Sequence, residues 1–208
     1  MARLFSSLRR DERGLALTEF AFAAPIFISL VLVGLELSNL ALAHLRVSMM
    51  AMTVADNAGR VSSGIDEANV YEVFAGAEVN ASGLGFKPNG RIVLSSLEHN
   101  GKTGTEEGQT IVWQRCWGDS RSITPAYGVE GDGKDDDDLE DGLGAGGNNI
   151  TALPDTAVMF VEATYDYQPL LTTGFFDSPR IRYESAFNVR GRQNNDISNS
   201  QGLVQMTC

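Results

Sequence analysis

Hydrophobic positions along this chain follow three spacings in turn, and each predicts a different kind of element. From Phe20 to Leu35 no residue carries a charge, and a weakly polar run continues to Ala43. At about 1.5 Å per residue, Phe20 to Ala43 makes a helix of roughly 36 Å, enough to cross a hydrocarbon core of about 30 Å. It is apolar on all sides, so it expects lipid or complete burial. Beyond it the pattern narrows to a stripe. Val47, Met50, Ala51, Val54, Ala58 and Val61 recur every three or four residues, with Arg46, Asp56, Asn57 and Arg60 on the other side. The same helix therefore continues as an amphipathic one, with Gly64 as its stop. The neighbouring Met49, Met50 and Met52 are expected to pack against the rest of the chain.

A second, short helix is expected between Gly64 and Gly83, with Asp66 as its cap and Ala68, Tyr71, Val73 and Phe74 as apolar positions. The period then shortens. Arg91–Glu98 and Gln109–Trp117 read as a hairpin with a long turn-rich loop, and Thr156–Leu170 and Arg180–Arg190 as two further strands. Alternation in Thr156–Leu170 is imperfect. The simplest arrangement is an α+β domain, a small antiparallel sheet with one face on the long helix. Between the strand pairs lies Tyr127–Asn149, whose eight acidic residues and seven glycines predict a solvated loop without a core.

Composition narrows the function classes. The chain has 208 residues, 16 Lys plus Arg against 27 Asp plus Glu, and a formal net charge of -11. No basic surplus exists to neutralise phosphates, which argues against a nucleic-acid partner. The first 14 residues are locally basic, with Arg3, Arg9, Arg10 and Arg13. Arginines before the apolar run and acidic bulk after it place the N-terminus in the cytoplasm and export the remainder.

Glu19 stands inside the first turns of the apolar helix, where a carboxylate costs on the order of 3 kcal/mol. A cleaved signal peptide could use Ala41-Leu42-Ala43, but its apolar core would exceed the usual length of about 7–15 residues. A plain anchor explains length and orientation and leaves Glu19 without a role. The stretch Arg13–Ala21, RGLALTEFA, resembles the processing site of type IV pilin-like proteins. The wider segment resembles a TadE-type minor pseudopilin of the tight-adherence (Tad) pilus system. Val112–Gly118 and Val161–Leu170 are similar to strands of that family, in outline over residues 13–190, although only the N-terminal motif is diagnostic. The chain lacks the large insertion of TadG-type relatives and is far longer than a major Flp-type pilin.

The resemblance implies a leader of residues 1–14 cut between Gly14 and Leu15 by a prepilin peptidase, leaving Glu19 as the fifth mature residue. It implies a pilin-like transmembrane spine over 15–64 and an exported domain over 65–208 that contains the acidic loop 127–149. Implied partners are the inner membrane, the peptidase, other major and minor pilin-like subunits and the assembly platform. The implied location is the inner membrane with a periplasmic C-terminal domain, and incorporation into an extracellular pilus. Residues four apart share a helix face, so Glu19 can pair with the Leu15 amine of its own chain or of a docked neighbour. The plainer reading of Glu19 is a solvated residue at the inner headgroups. Pro25 should kink or loosen the helix, with Ser29 helping to satisfy freed carbonyls. Glu36, near the outer interface, reads as solvated. The alternative class is a single-pass, membrane-anchored periplasmic binding or sensor domain that enters no pilus.

Other chemistry is sparse. The only cysteines, Cys116 and Cys208, most simply form a disulfide that pins the C-terminal tail; two free thiols or an intersubunit bond are the alternatives. Cys116 and His99 share the expected hairpin, but an oxidised structural cysteine outweighs a catalytic thiol–imidazole pair. The run Asp132, Asp135, Asp136, Asp137 and Asp138 invites calcium but lacks the EF-hand order, so no metal or cofactor is assigned. No hydrolase, zinc-protease or phosphate-loop motif occurs, and the chain is not read as an enzyme.

Overall fold

A computed structural model of the protein describes residues 14–170, 178–192 and 194–208. In chain order the elements are α1 (Leu15–Arg60), β1 (Ile65–Asp66), α2 (Glu67–Asn80), α3 (Phe86–Asn89), β2 (Gly90–His99), β3 (Gln109–Trp117), β4 (Ala157–Asp166), β5 (Arg180–Asn188) and β6 (Ile197–Ser198). The fold is α+β, a long N-terminal helix with a four-stranded antiparallel sheet packed on it. Two compact units divide within α1: one holds the chain through Ala41 with Pro169 and Leu170, the other Leu42–Gln168 and Ser178–Cys208.

In the first unit, α1 is long and apolar enough to cross a membrane. From Leu15 to Leu35 nearly all its side chains are bare, around the whole circumference; Leu17 is 71% exposed and Phe22 80%. Nothing but lipid or other apolar helices would remove that surface from water.

In the second unit, the upper part of α1 buries Ala43, Val47, Met50, Ala51, Val54, Ala55 and Ala58. Five of them, Val47, Met50, Ala51, Val54 and Ala58, are striped positions read from sequence, while the sixth such position, Val61, is half-buried beyond the helix end; small residues allow close approach. Gly59 is one such approach, next to the Phe187 side chain and the Asn188 main chain of β5. Two details differ from expectation. Met50 is buried, but Met49 and Met52 are about half exposed, because they fall on the solvent side of the 3.6-residue period. The helix also stops at Arg60 rather than at Gly64. Tertiary partners take its last carbonyls: the Arg192 guanidinium donates to Ala58 O (2.8 Å) and Val61 O (2.9 Å), and the Arg190 N–H to Gly59 O. A cation at the negative end of the helix also suits its dipole.

The sheet order is β3-β2-β4-β5. Paired residues share a face, as do residues two apart. One face carries Leu94, Trp113, Arg115, Val161, Ala163 and Tyr183. It meets the helices, as the contacts Arg115–Glu67, Phe187–Gly59 and His44–Tyr183 show. The other face carries Leu97, Ile111, Val158 and Phe160, and it too is buried.

The covering of that second face corrects the expectation of a solvated acidic loop. Leu143 and Ala152 join this core, and Tyr127 and Leu139 pack against it. The loop's backbone adds to the edge of β3, Gly131 N–H to Ile111 O and Ile111 N–H to Asp132 O. Gly133, at φ 71°, runs so close to Gln109 that any Cβ would collide with its carbonyl oxygen. The polar side chain of Asn100 reaches the carbonyls of Gly133 and Asp136. Asp135–Asp138 point outward. The segment is polar by count, yet a few apolar residues and main-chain bonds suffice to fold it down. With both faces covered, the central strands β2 and β4 need no clean alternation, which is why Thr156–Leu170 lacked one.

Candidate functional site

The start of α1 is where the sequence concentrates its candidate chemistry. Gly14 occupies a turn, and its carbonyl accepts the Thr18 N–H at 3.1 Å, so the helix begins at Leu15. Thr18 Oγ1 donates back to Leu15 O at 2.8 Å. Leu15 is 57% exposed, and Glu19 follows one turn later on the same face, also exposed. Among the described residues, Glu19 has no hydrogen-bond or ion-pair partner. The peptide bond between Gly14 and Leu15 thus lies at the boundary between turn and helix. The rest of the expected leader, residues 1–13, lies outside the described residues.

Higher in α1 the expectations for Ser29 and for Glu36 need correction. Pro25 is accommodated within a continuous helix, and the Ser29 hydroxyl donates to Pro25 O at 2.7 Å. It does not reach the Ala21 carbonyl, the one that the missing proline N–H leaves free. Glu36 is not solvated. It is 2% exposed, and its Oε2 accepts the Leu170 N–H at 3.0 Å. A chain segment far away in sequence covers it, which helical position alone does not reveal.

The head is held by buried charge as well as by its cores. Arg115, at the centre of β3, donates from Nε (2.8 Å) and Nη2 (2.6 Å) to Glu67 Oε1 in the first turn of α2, and from Nη1 to Glu130 at 2.9 Å. Both Arg115 and Glu67 are almost wholly buried. On the opposite face Glu162 accepts from Arg182 at 2.7 Å and from the Ala126 N–H. Burial pushes the Glu162 carboxyl up, against the opposing pull of Ala126 and Arg182. Tyr127 donates to Glu184 and lies beneath the Arg182 guanidinium. Burial first, then the bond to Glu184, raises its phenol to about 12.

Cys116 and Cys208 form a disulfide across 92 residues, so the free-thiol and intersubunit alternatives fall away. The tail is further tied by the Cys116 N–H to Met206 O (2.7 Å) and by the Tyr71 hydroxyl to Val204 O (2.7 Å). His99 pairs with Gln109 at the far end of the hairpin, seven residues or roughly 23 Å along β3 from Cys116. No thiol–imidazole pair forms. Among the described residues no three His, Cys, Asp or Glu side chains converge on a common metal position.

Sequence reasoning did not find Arg115, Glu67 or Arg192. A signal existed for the first, since an arginine within the apolar strand Gln109–Trp117 requires a buried partner.

Comparison with protein-family models, with curated proteins and with solved structures gave no match.

Proposed function

We propose that the chain is a TadE-type minor pseudopilin that works by helix packing in the assembly of a Tad-type pilus. The observation that carries this reading is Glu19, a carboxylate with no partner among the described residues, set in the apolar lower part of α1 and fifth from a Gly14–Leu15 bond at the helix start. Its location is the inner membrane with the head on the periplasmic side, until it joins other pilin-like subunits at the assembly platform. A prepilin peptidase removes residues 1–14. The cut breaks the Gly14 O–Thr18 N bond and leaves an amine on Leu15, cationic below a pKa of about 7.7–8.0. A carboxylate withdrawn from water among apolar helices needs such a charge. Pairing Glu19 with the amine of a docked neighbour sets the axial step between subunits, and the bare apolar surface of α1 supplies the packing. No catalytic role is part of this reading. An anchored periplasmic binding or sensor domain shares the same membrane helix but requires no partner for Glu19.

Two measurements on one sample separate the readings. The purified protein is expected to have a mass beginning at Leu15, whereas a start at His44 identifies ordinary signal peptidase and sinks the proposal. Glu19→Gln keeps shape and loses charge. It should leave cleavage and membrane insertion intact while abolishing co-purification with pilin-like partners from detergent extracts. Undiminished association and piliation in the Gln variant would assign Glu19 to the headgroup region and refute the assembly role.

A further inference from the structure

Glu36 interrupts the bare apolar surface of α1, and Leu35 and Leu37 on either side of it are exposed. At about 1.5 Å per residue it stands roughly 32 Å along the helix from Leu15, where a hydrocarbon core of about 30 Å ends. Its bond to the Leu170 N–H brings a second stretch of chain to that level. That stretch follows β4, yet Pro169 and Leu170 group with the apolar part of α1 and not with the unit that holds the strand.

Two features fit Pro169–Leu170 to a medium poor in water. Loop positions that face water favour Gly, Asn, Asp and Ser, whereas Leu170 presents an aliphatic side chain that is 63% exposed. Neither residue leaves a main-chain donor open. Proline has no N–H, and that of Leu170 is taken by Glu36 Oε2 at 3.0 Å. Irregular backbone facing lipid is excluded from the hydrocarbon itself, so such a stretch belongs where headgroups meet acyl chains. The level of Glu36 along α1 is that boundary.

We propose that Pro169–Leu170, clamped to α1 through Glu36, is a second membrane contact, with Leu170 seated at the headgroup–acyl boundary of the leaflet on the head's side. The partner is a lipid surface. This rests on α1 crossing the membrane, as in the reading above, and adds a contact that neither a pilin nor a plain anchor requires. A carboxylate makes a stronger bond to a main-chain N–H than a neutral acceptor does, and the bond strengthens where water is scarce. One leucine gains little by itself. Here it acts beside a helix that already holds the chain at the surface, so its effective concentration there is high.

The test is a nitroxide spin label on the full chain in phosphatidylcholine vesicles, read by its relative accessibility to oxygen and to a water-soluble nickel chelate. Cys116 and Cys208 are bonded, so without reductant only a newly introduced cysteine takes the label. Leu32→Cys reports whether α1 is in the bilayer, and Val204→Cys, on an exposed residue of the tail, is the aqueous control. The label at Leu170→Cys should prefer oxygen, as at Leu32, and the one at Val204 should prefer nickel. Adding Glu36→Leu removes the acceptor and should abolish the oxygen preference at 170, whereas Glu36→Gln still offers an oxygen and should keep it. An unchanged signal in Glu36→Leu overturns the clamp. Low accessibility to both reagents means that protein covers Leu170 and overturns the lipid contact. Nickel preference at 170 with oxygen preference at 32 leaves α1 in the membrane and overturns this inference alone; nickel preference at both sinks the membrane reading itself.

Discussion

Arg115 occupies a position in β3 that pairs with Leu94 and faces the helices, where an apolar side chain would otherwise stand. Its three bonds to Glu67 and Glu130 replace part of the lost hydration, and Glu67 Oε2 remains buried without a partner. Such a pair costs more to break than it contributes in net stability. Replacing Arg115 by Met leaves the Glu67 charge stranded and should destabilise the head by about 3–5 kcal/mol. The double variant Arg115→Met, Glu67→Met should recover most of that loss. Urea unfolding followed by tryptophan fluorescence measures both, and a double variant no more stable than the single one refutes the argument.

The helix α2 illustrates the element scale. Its Asp66 cap was legible in sequence, and the structure shows a reciprocal box: the Ala68 N–H donates to Asp66 Oδ1, and the Asp66 N–H to Asn69 Oδ1. Its second task was not legible. Asp66 Oδ2 also accepts the Ser200 N–H and the Ser198 hydroxyl, tying the chain's last segment to the start of α2. Bonding from Ser200, then Ala68, then Ser198 lowers the Asp66 carboxyl from 3.8 to about 2. A lowered folded-state pKa contributes stability above the unfolded value and loses it as pH falls through the folded one. The stability gap between the parent and Asp66→Asn should therefore be constant above about pH 3.8 and close toward pH 2. The buried Glu162 shifts the opposite way, which is why the difference between the two proteins is the quantity to follow. A gap unchanged down to pH 2 contradicts the assignment.

At the scale of the whole molecule, the disulfide and the loop connecting β3 to β4 decide how the head is closed. The bridge spans 92 residues, for which loss of chain entropy in the unfolded state predicts about 4–5 kcal/mol. Reducing it, or replacing both cysteines by Ser, should lower unfolding stability by about that amount while the sheet remains formed. Circular dichroism with a urea titration reports both, and an unchanged midpoint rejects the estimate. The loop connecting β3 to β4 buries Leu143 and Ala152 against Leu97, Ile111, Val158 and Phe160. Truncation of Leu143 to Ala should cost about 2–5 kcal/mol by opening that second core. A loss below that range would mean the acidic segment lies over the sheet without stabilising it.

Sequence alone determined the elements whose signals are local. The long helix, the α2 cap and four strands placed within a few residues follow from hydrophobic period and capping chemistry, which depend on neighbours along the chain. It also determined that the first turns of α1 carry a carboxylate where an apolar helix does not favour one. Tertiary structure decided whatever needed a partner from far away in the chain. Arg192 ends α1 by reaching Ala58 and Val61, 134 and 131 residues earlier. Glu36 is bonded by the Leu170 N–H and Arg115 by Glu67, and the outer face of the sheet is covered by a segment too polar to suggest a core. Burial is set by what covers a residue, and one chain segment does not specify which other segment will do so.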